Sequence, residues 1–150
     1  MNGAWIESQA DAIRVACMRT TPRQLEDLHS SFEQASRTPA AVGWEHKAAA
    51  HAEIFNVLAA AAGDPLNGSV LSGGVAVAYD LMITAGRVAD GMVASSRKRF
   101  LAHLRAAEHQ EAALEMEKHL RVLHYMWRLA NPAAPGSPLG DHDEALAAWA

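Results

Sequence analysis

The chain has 150 residues, half of them apolar, which is one domain's worth of polypeptide with enough hydrophobic side chains for a core. Charged residues make up 20%, against the roughly 25% usual in soluble domains, and this excludes disorder as the overall state. The formal charge of −4 excludes unaided gripping of nucleic acid, and the single cysteine, Cys17, excludes an internal disulfide and a Cys-rich zinc module.

The composition is helical, rich in alanine and poor in β-branched runs. Thr21-Pro22 places an N-cap residue before a proline at the first helical position, and so starts a new helix. Thr38-Pro39 and Gly43 bracket a short connection, Gly63-Asp64-Pro65 reads as a stop and a turn, and Gly86 and Asn131-Pro132 end two further segments. Six helices are expected between these marks, at about 4–19, 22–36, 43–62, 69–85, 87–106 and 108–130. Short links between long amphipathic helices imply antiparallel neighbours, hence an all-α bundle over 1–131. The segment 132–150 is rich in proline and glycine, a linker and tail ending near Trp149. No apolar run reaches the roughly 18 residues of a membrane span, and the start resembles no secretory signal, so a cytoplasmic domain without a membrane partner is expected.

Three stripes carry polar residues where leucine would be cheaper to bury. Trp44, Ala48, His51, Phe55, Leu58 and Ala62 form the first. Val93, Arg97, Phe100 or Leu101, and Leu104 form the second; Ala112, Met116, His119, Leu123, Met126 and Ala130 form the third. Burying an ionisable group costs several kcal/mol unless it is paired, hydrogen-bonded or bound to something. His51, Arg97 and His119 therefore mark one interior site if the helix faces converge. The two imidazoles could ligate a divalent metal, zinc or nickel, with His103 as an optional third ligand. Alternatively, Arg97 could present its guanidinium fork to a carboxylate with the histidines as donors beside it. A guanidinium repels a cation, so the second chemistry is favoured and no metal is expected. Tyr79, on the glycine-interrupted fourth helix, is a candidate for the cavity wall. No catalytic set stands out: Ser95 and Ser96 lack a nucleophile elbow, Cys17 has no evident base partner, and no Gly-rich phosphate loop or HExxH motif occurs.

Three segments resemble the FCD domain, the C-terminal effector-binding domain of FadR-subfamily GntR transcription regulators. ADAIRVACMRTTPRQLEDL is similar to that family's opening, IFNVLAAAAGDPL to its "FHxxLxxxxGNP" stretch, and FLAHLRAAEHQEAALEMEKHL to its "ILxAIxxxDxxxAxxxMxxHL" ending. In many members a metal is held by an aspartate, a histidine four residues later and two more histidines. By resemblance these positions fall on His51, Phe55, Arg97 and His119, so only His119 keeps the ligand identity and His51 substitutes. The resemblance thus implies a cavity for a small organic acid, with Arg97, His51, His119, Tyr79 and Phe55 as ligand-contacting residues and Arg97 in place of the metal. It also implies a homodimer that acts on DNA only through a winged helix-turn-helix domain, which lies outside this chain. The expected function is therefore ligand sensing in transcription regulation, without catalysis. The rivals are a metal-binding or a purely dimerising helical domain.

Overall fold

A computed structural model describes residues 3–39, 43–86 and 90–132. The expected tail beyond 132, with Trp149, and the expected helix start at 87 lie outside the described residues. Among the described residues all regular structure is helical: α1 (Ala4–Arg19), α2 (Pro22–Arg37), α3 (Trp44–Ala52), α4 (Ile54–Ala62), α5 (Pro65–Leu81), α6 (Asp90–Arg105) and α7 (His109–Ala130). A π-helical turn, Met82–Gly86, continues α5. The helices pack as the expected all-α bundle.

Local chemistry accounts for most of the boundaries. Thr21 caps α2 reciprocally, its hydroxyl accepting from the Gln24 amide while the Gln24 side chain accepts from the Thr21 amide, so two donors at the helix start are satisfied. Gly63 ends α4 in the left-handed region at φ 74, where a Cβ would be strained. Asp64 then caps α5 at once by accepting from the Asn67 amide at 2.8 Å, with Pro65 in the first turn. The fourth expected helix therefore begins four residues earlier than 69, because Asp-Pro is a start signal here and not only part of a turn.

The third expected helix is broken at Glu53 into α3 and α4. At the end of α5, the Trp44 indole donates to the Met82 carbonyl at 3.0 Å, at the point where the helix widens into the π turn. Such turns insert a residue into the helical ladder and free a carbonyl for an outside donor.

α1 packs against α4, α5 and α7; α2 lies against α3, α4 and α6; and α6 runs beside α7. Ile6, Ile13, Leu28, Phe55, Leu58, Phe100, Met116 and Leu120 fill the main core. A second cluster at the other end joins Trp44, Leu81, Met82, Val93 and Leu123. Arg19 ties α1 to the end of α4 by donating to the Ala62 carbonyl at 2.6 Å and to Asp64 at 2.8 Å.

α5 buries a narrow face of Leu71, Gly74, Ala78 and Leu81. A Cβ on Gly74 would meet Gln9 Oε1 at 2.7 Å, so the glycine is what lets α1 approach. Counted as an uninterrupted run α5 falls short of a membrane span, yet Pro65–Thr84 is long and apolar enough to cross one by length and composition, at mean hydropathy 1.3.

Candidate functional site

The three polar residues singled out from the stripes are all interior. His51 on α3, Arg97 on α6 and His119 on α7 are 2%, 4% and 1% exposed. Their placement follows from the apolar neighbours in each stripe, since Val93, Phe100 and Leu101 turn Arg97 inward on α6 as Met116 and Leu120 turn His119 inward on α7.

Arg97 makes two specific contacts. Its Nη2 donates to the His51 carbonyl at 3.0 Å, and its guanidinium carbon lies 5.1 Å from the centre of the Phe32 ring, within cation–π range. The His51 carbonyl belongs to the last turn of α3, two residues before the break at Glu53. In an unbroken helix such a carbonyl takes the amide four residues on; here it also serves α6. Among the described residues Arg97 meets no carboxylate, and its Nε and Nη1 have no hydrogen-bond partner. Both ring nitrogens of His51 are likewise buried without a partner among the described residues.

The three groups act on one another electrostatically. Burial pushes the His51 imidazole down to about 3, and the Arg97 and Lys47 cations push the same way. His119 is held well below its usual value by burial, with Arg97 and then His51 adding to the shift. Burial alone lowers the Arg97 guanidinium to about 9, which leaves it charged at neutral pH. Lys47 has its own counterion, Asp90 at 3.2 Å. Among the described residues, then, Arg97 is a buried cation without a carboxylate partner, and His51 and His119 are held neutral by burial.

The other candidates fall elsewhere. Phe55 is completely buried in the main core. Tyr79 is 36% exposed, on the solvent side of α5 away from that helix's buried face. Tyr79 does not line the groove found beside Arg97. His103, the optional third ligand of the metal reading, lies 3.3 Å from Glu108 and is partly exposed. Among the described residues no group of three or more His, Cys, Asp and Glu side chains is arranged to hold a metal. Cys17 is buried, and burial pushes its thiol up to about 12, so it is not a thiolate at neutral pH.

Among the described residues a cavity reaches Arg97. It is a groove of about 260 Å³ between α2 and α6, walled by Phe32, Ala94, Arg97, Lys98 and Leu101. His51, His119, Phe55 and Tyr79 do not line it. Sequence reasoning missed Phe32, although Leu28, Phe32 and Ala35, the buried residues of α2, are a helical stripe readable from spacing alone.

The chain matches no protein-family model, no curated protein and no solved structure.

Proposed function

We propose that this chain is a ligand-sensing domain of the kind its motifs resemble, the effector domain of a FadR-type GntR regulator, and that it takes a small carboxylate-bearing metabolite at Arg97. One observation carries the reading: Arg97 is 4% exposed and meets no carboxylate among the described residues, and two of its guanidinium nitrogens, Nε and Nη1, have no hydrogen-bond partner there. A cation buried without a counterion is costly, and a ligand carboxylate offsets that cost by accepting a forked pair of hydrogen bonds. The neutral His51 ring supplies a further N–H donor, and neutral His119 bounds the site without adding charge. No acid–base pair or nucleophile is needed, because binding is the whole task.

Arg97 also couples the site to the fold. Its bond to the His51 carbonyl joins α6 to the α3–α4 break, so a ligand that draws the guanidinium away releases that joint. An effector shifts a conformational equilibrium only by its differential affinity for the two states, and this bond is where the two states differ. Through a fused or associated winged-helix domain the change alters DNA binding.

The test is a thermal-shift screen of small carboxylates on the wild type and on Arg97→Ala. At a ligand concentration 100-fold above Kd the wild type gains about 2.7 kcal/mol of stability, and Arg97→Ala gains nothing. Equal shifts in the two proteins remove Arg97 from the site.

A further inference from the structure

The effector reading leaves the body of the acid unspecified, and the groove between α2 and α6 supplies it. Phe32 and Leu101 are nearly buried, at 7% and 5% exposure, and with Ala94 they give the groove an apolar floor. Arg97 lines the same groove, and its guanidinium lies over the Phe32 ring. The acid on the rim, Glu33, is already engaged by His29 at 3.0 Å and Arg37 at 3.2 Å. Lys98, beside Arg97, is exposed and makes no ion pair among the described residues. A volume of about 260 Å³ lies at the small end of ligand sites.

We infer that this groove is the apolar subsite of the effector, so that the ligand class is an acid with a compact aryl or short alkyl body, its carboxylate at Arg97 and its body on Phe32, Ala94 and Leu101. The inference rests on the effector reading. A hydroxylated acid of equal size gains little here, because its hydroxyl groups meet the apolar floor of Phe32, Ala94 and Leu101. Lys98 attracts the incoming anion and stays at the mouth, exposed to water.

The experiment is calorimetric titration of the full chain with acetate, hexanoate, benzoate and gluconate. Hexanoate and benzoate bind at least about tenfold tighter than acetate and gluconate, the least that a few buried carbons contribute in a fitted apolar site. Ala94→Phe, or Ala94→Leu if the larger ring disturbs folding, fills the groove and erases that preference while acetate still binds. Lys98→Glu weakens all four about threefold to fivefold at low salt, as an exposed charge does. Equal binding of acetate and benzoate, or an unchanged preference in Ala94→Phe, overturns the groove assignment. If Arg97→Met abolishes binding while Ala94→Phe has no effect, the groove fails and the effector reading stands. If none of the four acids binds the wild type, both fail.

Discussion

Arg97 and Arg99 stand two residues apart on α6 and live in different physical worlds. Arg99 is about half exposed and donates to Glu115 on α7 at 2.7 Å, closing the α6–α7 seam. Arg97 is interior and is held by a backbone carbonyl and an aromatic face in place of a carboxylate. At the seam Arg99 and Glu115 complement one another, so the pair is structural. Around Arg97 hydrogen-bonding capacity is left over, and on the proposed reading a ligand carboxylate takes it up.

That contrast predicts different responses to perturbation. The largest is to acid. His51 and His119 are pushed down by burial, so between their unfolded value near 6.5 and the His51 value of about 3 the unfolded chain binds more protons than the folded one. Stability is therefore full above about pH 6.5 and falls as pH drops, at about 1.4 kcal/mol per pH unit for each histidine. Chemical denaturation of His51→Leu between pH 6 and 4 checks this, with a slope shallower than wild type by about that amount. An unchanged slope means that His51 titrates normally.

Next come the two arginines. Arg99→Met strands Glu115, whose side chain is 10% exposed, and lowers stability by about 1–2 kcal/mol after allowance for the half-exposed partner. Arg97→Met removes an unpaired interior cation and replaces it with apolar atoms of similar length. The gain in desolvation offsets the lost bond to His51, leaving stability within about 1 kcal/mol of wild type. Urea melts of both variants decide the matter, and a larger loss for Arg97→Met than for Arg99→Met would make Arg97 the brace.

Much of the fold was legible in the sequence because its signals are local. The Thr21-Pro22 cap, the glycine stop at 63 and the stripes through His51, Arg97 and His119 each need only a few neighbouring residues to read. The break at Glu53 was not legible: the run AAAHAEIFNVL has no glycine or proline, and the bond at this joint comes from Arg97, 46 residues away. Tyr79 was misplaced because the small residues around it, Gly73, Gly74, Ala76 and Ala78, leave α5 without a strong stripe. The groove escaped for a related reason, since it is made by the separation of α2 and α6, which no spacing within either helix encodes.

The central claim, that Arg97 is the anion anchor and Arg99 is not, is tested most directly by nuclear magnetic resonance of the arginine side-chain Nε–H groups during a benzoate titration. The account predicts that the Arg97 signal moves and sharpens with saturable dependence on benzoate while the Arg99 signal stays in place. Movement of Arg99 and the exposed arginines, with Arg97 unaffected, would contradict it.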